Sequence, residues 1–358
     1  MTPDQPGPPA TASWLIRIPE IFASWTKDIL GLVNAARSTP LGPEFLLIQG
    51  AHPDKWQGGP AGPFISWNLP VQHSWPCHPP KMENFVEKAA QTLLKKFGPL
   101  QPQAIQMGPL QAGAPDRYYK GLASNLRGRT LQLFPGLSGS TPAESQKPEQ
   151  PTLFAVVGKE GLFAGVQTPR ASNGFYPGGT KFISQGATGT ISRAGAKIAE
   201  ALHYLLLHRP ALPAGSHWLE LGASPGGMTS ELLRRHYRVT ALDRAPLDRR
   251  LDGQPGLTFT KADAATFTPP PHTIYDALLC DMNGDARQAL HHVLRLTKFL
   301  RPGGLIVFTL KTPGSETFAA IQQTIRRTLD DASAAGLKPI SLTHLTYNRQ
   351  EFTGFFEI

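Results

Sequence analysis

The sequence has few cysteines and no long apolar run. Cys77 and Cys280 are its only cysteines, which excludes a framework of several disulfides and favours a reducing compartment. No apolar stretch approaches the length of about 20 residues that a membrane-spanning helix requires. Residues 1–9 contain neither a basic segment nor an apolar core, so we expect no secretion signal. Together these absences predict a cytoplasmic protein with no membrane contact.

Acidic residues are scarce relative to basic ones. The chain has 35 Lys and Arg against 26 Asp and Glu, which gives a formal net charge of +9. Such an excess favours a polyanionic partner, although it also serves solubility.

The sequence also lacks metal-ligand spacing. His52, His73 and His78 are scattered among Pro/Gly loops, so we expect no metal site.

Length and composition predict several domains. The chain has 358 residues, more than one typical core holds, and its 35 Pro and 35 Gly are spread between periodic segments. We predict an accessory region over residues 1–80, within which residues 1–13 form a disordered tail. A small domain is expected over residues 81–172 and a larger one over residues 173–358.

The pattern of residues 81–172 predicts a small α+β domain. It has the spacing of two helices, one strand and a hairpin, at 82–97, 116–126, 104–107 and 152–167. Between residues 81 and 130, eight basic residues stand against three acidic ones, an excess of five. The basic residues are Lys81, Lys88, Lys95, Lys96, Arg117, Lys120, Arg127 and Arg129. This excess suits contact with nucleic-acid phosphates, and a solvated helix face explains it about as well.

Apolar runs and helical spacing alternate over residues 192–358. Strands are expected at 217–221, 238–242, 257–260, 277–280 and 305–310, with two closing strands at 340–345 and 352–358. The alternation predicts an α/β fold, a Rossmann-like doubly wound sheet. Asp243, Asp263, Asp281 and Lys311 each follow one of these strands. They are therefore expected at the edge where such sheets bind ligands.

A glycine turn, Gly222-Ala-Ser-Pro-Gly-Gly227, follows the first of these strands and precedes a helix. Strand, turn and helix in this order build a nucleotide site. The turn departs from G-x-G-x-x-G, and Pro225 lacks an N–H that a pyrophosphate would require. Asp243, about 20 residues further on, can accept hydrogen bonds from both hydroxyls of a ribose. S-adenosylmethionine, which has a ribose and no phosphate, fits better than a dinucleotide. An ordinary strand-to-helix turn is the alternative. The predicted cofactor-binding residues are Gly222, Ser224, Pro225, Gly226, Gly227, Asp243, Asp263 and Asp281.

The order and spacing of Lys197, the glycine turn, Asp281, Lys311 and Glu351 resemble those of FtsJ-like ribose 2′-O-methyltransferases. The blocks around these residues are similar to those of the RlmM family, bacterial enzymes that methylate a cytidine of large-subunit ribosomal RNA. The similarity covers residues 152–358. It implies an S-adenosylmethionine-dependent enzyme with Lys197, Asp281, Lys311 and Glu351 as its catalytic tetrad. It also implies RNA, ribosomal RNA in particular, as the partner and a THUMP-like RNA-binding domain over residues 81–172. The N-terminal part is shorter than in that family, and Ala194 replaces a serine near the cofactor.

The chemistry of the tetrad agrees with this resemblance. A ribose 2′-hydroxyl is a poor nucleophile until its proton is removed. A lysine can remove that proton only where burial or a neighbouring cation lowers the lysine pKa. We therefore expect Lys197 to lower the pKa of Lys311. The resemblance makes Lys311 the base, with Asp281 and Glu351 orienting both lysines. A surface salt bridge is the commoner role of any one of these residues taken alone.

Ribose 2′-O-methylation of large-subunit ribosomal RNA is thus the leading hypothesis. Two alternatives stay open, because a fold does not determine a function. One is methylation of another RNA, of a base or of a small molecule, which would have no use for the lysine pair. The other is a non-catalytic RNA-binding assembly protein, against which the intact glycine turn, Asp243 and the tetrad all speak.

Overall fold

The computed structural model describes residues 13–111, 117–137, 143–179, 191–312, 314 and 317–358. The chain divides into two compact units, Met1–Thr180 and Lys181–Ile358. The predicted tail lies outside the described residues except for Ser13, which begins the first strand. None of the helices in the described ranges is long and apolar enough to cross a membrane.

The first unit begins with a four-stranded antiparallel sheet. Its strands are β1 (Ser13–Arg17), β2 (Arg37–Pro40), β3 (Phe45–Gln49) and β4 (Trp67–Pro70), in the order β2-β3-β1-β4. Helix α1 (Thr26–Val33) lies between β1 and β2 in the chain and buries Ile29 and Val33. The helix ends at Asn34, whose left-handed backbone stops further helical hydrogen bonding.

A second four-stranded sheet completes the first unit. It contains β5 (His73–Trp75), β6 (Ala104–Pro109), β7 (Thr152–Gly158) and β8 (Gly161–Gln167), in the order β5-β8-β7-β6. Two helices accompany it, α2 (Phe85–Phe97) and α3 (Arg117–Leu133). The predicted succession of helix, strand, helix and hairpin is therefore present. Helix α3 continues past its predicted end because Leu126 and Thr130 are buried along the same helix face.

Strand β7 explains why both sheets belong to one unit. All seven of its residues are buried, and successive side chains point to opposite faces of the sheet. Leu153, Ala155 and Val157 pack in the core that α2 and α3 cover. Phe154 and Val156 pack in a second core with residues of β1, β3 and β4. The predicted boundary at residue 80 thus does not divide the hydrophobic core of this unit.

The second unit is built on a seven-stranded sheet. Its strands are β9 (His217–Leu221), β10 (Arg238–Asp243), β11 (Leu257–Lys261), β12 (Tyr275–Cys280), β13 (Leu300–Lys311), β14 (Lys338–Thr343) and β15 (Glu351–Glu357). Their order is β11-β10-β9-β12-β13-β15-β14, and β15 alone runs against the others. The helices are α4 (Ala194–Leu205), α5 (Gly227–Arg234), α6 (Ala286–Leu296) and α7 (Phe318–Ala334).

This strand order confirms the predicted Rossmann-like sheet with two closing strands. From β9 the chain moves outward through β10 to β11 and then returns to β12 on the other side of β9. Such a reversal opens a crevice at the carboxyl ends of β9 and β12, because the connections on either side leave in opposite directions. The glycine turn, Asp243, Asp281 and Lys311 all lie at this edge.

Candidate active site

A cavity of about 440 Å³ opens at the carboxyl ends of β9, β10 and β12. Seven of the residues predicted for the site line it: Gly222, Ser224, Pro225, Gly227, Asp243, Asp281 and Lys311. Gly226 and Asp263, which were also predicted to bind a cofactor, are not in the lining. Gly226 faces the side chain of Leu251 instead, and Asp263 forms an ion pair with Arg244 at 3.0 Å.

Two glycines of the turn are required by close approaches. Gly222 has a φ of +80°, and a Cβ there would lie 3.0 Å from the carbonyl oxygen of Asp281. A Cβ on Gly227 would overlap the side chain of Ser192, just before α4. Glycine at these positions therefore lets the turn pack against both β12 and the start of α4.

Asp243 is held in place by the backbone of two loops. Its Oδ2 accepts a hydrogen bond from the N–H of Ser224 at 2.9 Å, and its Oδ1 accepts one from the N–H of Ala245 at 2.8 Å. A carboxylate has about four acceptor positions, so these bonds leave capacity for ligand hydroxyls. Asp243 is thus both a constraint on the glycine turn and an acceptor in the cavity wall.

Glu220 is a cavity residue that the sequence reasoning missed. It is the fourth of the five residues of β9, is 2 % exposed, and accepts a hydrogen bond from Thr229 Oγ1 at 2.7 Å. Burial raises the pKa of Glu220 to about 8. The available signal was an acid inside the otherwise apolar run of residues 217–221, because an acid is rarely buried without a function or a partner.

Lys197, Asp281, Lys311 and Glu351 form a closed ring of charges of alternating sign. Lys197 Nζ lies 2.9 Å from Asp281 Oδ1 and 2.7 Å from Glu351 Oε1. Lys311 Nζ lies 2.9 Å from the same Asp281 oxygen and 2.8 Å from Glu351 Oε2. The four side chains are between 9 % and 17 % exposed. The structure therefore brings together all four residues of the predicted tetrad.

The sheet and one helix position this ring. Lys311 and Glu351 are register partners on the antiparallel strands β13 and β15. Asp281 follows β12, the strand next to β13, while Lys197 comes from the first turns of α4. Because four separate elements supply the four side chains, their distances depend on the packing of the whole unit.

Two further buried residues, which sequence reasoning also missed, hold the loop that leads to Glu351. Glu200, one helical turn after Lys197, accepts hydrogen bonds from the N–H groups of Thr346 and Tyr347 at 3.1 and 3.2 Å. Asn348 Oδ1 accepts one from the N–H of Leu345 at 2.8 Å. These bonds connect α4 to the loop and fix the entry into β15.

The electrostatics of the ring correct one expectation. Burial alone would lower the pKa of Lys311, but the charges and hydrogen bonds of Asp281 and Glu351 outweigh it and hold that pKa above its usual value. The expected lowering of the Lys311 pKa by Lys197 is therefore wrong for this arrangement, because two carboxylates lie within 2.9 Å of Lys311 Nζ and outweigh any cation nearby. Burial opposes the ionisation of Glu351, yet the two lysines bring the pKa of its carboxyl down to about 2.

A seven-stranded sheet with this order, a glycine turn and an acid-lined cavity define a Rossmann-like domain with a ligand site at the switch point of its sheet. Residues 190–331 match the family described as FtsJ-like methyltransferase. This match confirms the predicted resemblance over that part of the chain, and it supports S-adenosylmethionine as the cofactor.

Individual relatives agree with the family match. The chain is 34 % identical over 164 residues to "Ribosomal RNA large subunit methyltransferase M" of Halorhodospira halophila, covering 45 % of each protein. It is 31 % identical over 172 residues to the protein of that name from Thauera aminoaromatica, covering 47 % of this chain and 46 % of the relative. The chain therefore matches about half the length of these curated relatives.

Among solved structures, fibrillarin of Aeropyrum pernix is similar, with 19 % identity, a TM-score of 0.34, and coverage of 45 % of this chain and 74 % of fibrillarin.

Proposed function

We propose that the chain is an S-adenosylmethionine-dependent RNA 2′-O-ribose methyltransferase that acts on a cytidine of large-subunit ribosomal RNA. The observation that carries the proposal is the ring of Lys197, Asp281, Lys311 and Glu351, two of whose members, Asp281 and Lys311, line the cavity. A closed set of two lysines and two acids has a clear use in removing the proton of a hydroxyl. It has no evident use for a nucleophile that needs no deprotonation, such as an unprotonated ring nitrogen of a base.

The residues of the cavity fit S-adenosylmethionine. Asp243 offers acceptors for ribose hydroxyls, and the side chains of Leu242, Ala262 and Met282 offer apolar surface for an adenine ring. Asp281 adds a carboxylate, which suits a ligand that carries a sulfonium and an ammonium. The volume of about 440 Å³ falls in the range of about 300–1,000 Å³ typical of ligand cavities.

The chemistry divides between cofactor and protein. S-adenosylmethionine, when bound, supplies an electrophilic methyl group. Lys311 Nζ takes the proton of the ribose 2′-hydroxyl, for which it must first be in its neutral form. Asp281 and Glu351 hold Lys311 Nζ in position, and Lys197 offsets one of their two negative charges, so that the ring has a formal charge of −1 while Lys311 is neutral. Positioning and deprotonation are the main contributions of the protein.

RNA binding is supported by exposed basic residues of the first unit. Lys81, Lys88, Lys95, Lys96, Arg117 and Lys120 are exposed. Arg127 and Arg129 are not available in the same way, because Arg127 donates to the carbonyl of Ile105 and Arg129 is paired with Glu87. Lys88 and Lys95 are seven residues apart on α2 and so lie on one face of that helix. We propose that this face contributes phosphate contacts within a THUMP-like domain.

The proposal is tested by nucleotide-resolved mapping of ribose methylation. Large-subunit ribosomal RNA from cells that lack this protein is incubated with the purified full chain and methyl-labelled S-adenosylmethionine. One cytidine should become resistant to alkaline cleavage at its 3′ side, since that cleavage needs a free 2′-hydroxyl. Label found on a base would indicate a different methyltransferase. Cofactor and RNA binding without transfer of label would indicate an assembly protein.

A further inference from the structure

A second cavity adjoins the active site and shares Lys311 with the first. It has a volume of about 290 Å³ and lies between the end of β13 and the helices α6 and α7. Its lining includes Lys311, Thr312, Arg287, Thr324, Arg327 and Thr328. Lys311 is therefore part of the wall of both cavities, and a group in the second cavity can reach the proposed base.

The two arginines of this second cavity differ in their surroundings. Arg287 is paired with Asp331, its Nε lying 2.9 Å from Asp331 Oδ2. Arg327 is exposed and forms no ion pair within the part of the chain that the structure describes. A guanidinium donates several N–H groups in a plane that matches the oxygens of a phosphate. Arg327 is thus the group in this wall that is suited to hold an anion.

The remaining lining has three threonine hydroxyls and one acid, Asp285, whose Oδ1 accepts a hydrogen bond from the N–H of Gln288 at 2.9 Å. Thr312 and Thr328 are buried at 5 % and 3 % exposure, and Thr324 Oγ1 donates to the carbonyl of Ala320 at 3.0 Å, which leaves its oxygen as an acceptor. Hydroxyls next to a cation suit a sugar-phosphate and offer little to an apolar ligand. The volume lies at the lower limit of ligand cavities, about 300 Å³, which suits a sugar and its phosphate.

We propose that this second cavity receives the ribose of the target nucleotide and that Arg327 binds the adjacent phosphate. The inference rests on the proposed function, because it assigns the substrate side of the same site. The ribose would lie against Lys311 from the second cavity, while the first cavity holds the cofactor. Arg327 then acts on substrate binding and orientation, and it takes no part in proton transfer.

The test compares Arg327→Ala with Arg326→Ala in the full chain. Arg326 is the neighbouring residue on α7, is exposed as well, and is absent from the lining of the second cavity. The probe is an unmodified transcript of large-subunit ribosomal RNA. Arg327→Ala should weaken RNA binding about tenfold and reduce the slope of log affinity against log salt by about 1. Arg327→Lys should recover part of the affinity because it restores the charge, whereas Arg326→Ala should change both quantities much less.

Kinetics and cross-linking separate this role from a structural one. Arg327→Ala should raise KM for RNA with a smaller effect on kcat and leave S-adenosylmethionine affinity unchanged. A photoreactive residue at position 327 should cross-link to the methylated nucleotide or its immediate neighbour. Equal effects of both alanine variants, or a cross-link far from the methylated ribose, would overturn the inference. A wild-type chain that binds the RNA but transfers no methyl group would defeat the proposed function, and the binding comparison would still decide the role of Arg327.

Discussion

Lys311 and Glu351 face each other across β13 and β15, with 2.8 Å between Lys311 Nζ and Glu351 Oε2. This cross-strand pair has two consequences. It places the proposed base at a fixed point in the cavity wall, and it stabilises the protonated form of that base. The pair therefore couples the position of Lys311 to the pH at which it can act.

The first prediction concerns the base itself. Lys311→Ala should lower the methylation rate by about 10²–10⁴ because the proton acceptor is lost. Lys311→Arg should fail as well, since a guanidinium is not deprotonated in a protein. Calorimetry should show S-adenosylmethionine affinity nearly intact in both variants. Near wild-type turnover of the arginine variant on the same RNA would make Lys311 an electrostatic anchor and not a base.

The second prediction concerns pH. Because the pKa of Lys311 is raised, the neutral fraction at physiological pH is small, and the rate should grow about tenfold per pH unit through the neutral range. Glu351→Gln removes one of the charges that raise the pKa of Lys311, so the rate profile should move to lower pH even if the maximal rate falls. Glu357→Gln on the same strand, which pairs with Arg209, is the control. If the wild-type, Glu351→Gln and Glu357→Gln proteins had identical profiles of rate against pH, the pH dependence would not come from Lys311.

The third prediction concerns the cofactor. Asp243→Ala should weaken S-adenosylmethionine binding by about 1.5–3 kcal/mol, because ribose hydroxyls lose a charged acceptor and the turn loses its bond to Ser224. Asp263→Ala should weaken S-adenosylmethionine binding clearly less, since Asp263 lies outside the cavity lining and pairs with Arg244. Calorimetric titration of both variants gives the comparison. Equal losses would restore Asp263 to the cofactor site.

The fourth prediction concerns the glycine turn. Gly222 and Gly215 have similar left-handed backbones, with φ of +80° and +84°, but a Cβ on Gly215 would contact nothing within 4 Å. Alanine at either position should cost about 1–2 kcal/mol of backbone energy. Gly222→Ala should lower the apparent Tm further and weaken cofactor binding, because its Cβ presses on the backbone of Asp281. If scanning calorimetry gives both variants the same Tm, the close approach to β12 contributes nothing to stability.

Several features of the second unit were predictable because they depend on local sequence. The apolar run 217–221, the glycine turn and the helix after it follow one another directly in the chain, so composition and periodicity reveal them. The tetrad could be identified from its resemblance to a known family, although its members come from four separate elements. Glu220 is visible in the sequence only as an acid inside an apolar run, because its burial depends on the neighbours that β10 and β12 supply.

The first unit shows the corresponding limit. The order of helix, strand, helix and hairpin followed from residues 81–172 alone. The packing of both sheets into one unit could not be predicted from these residues. Strand β7 is buried on both faces, and its sequence does not tell which segment covers the second face.

The sequence by itself determined the alternation of strands and helices, the glycine turn and the identity of the four charged residues. Only the tertiary structure decided the state of Lys311. The family resemblance suggested a lysine whose pKa is lowered by a second lysine, but folding places two carboxylates within 2.9 Å of its Nζ and raises that pKa instead. The physical reason is that the sign of a pKa shift depends on the distances and burial of all neighbouring charges, and these distances exist only once β12, β13, β15 and α4 are packed together.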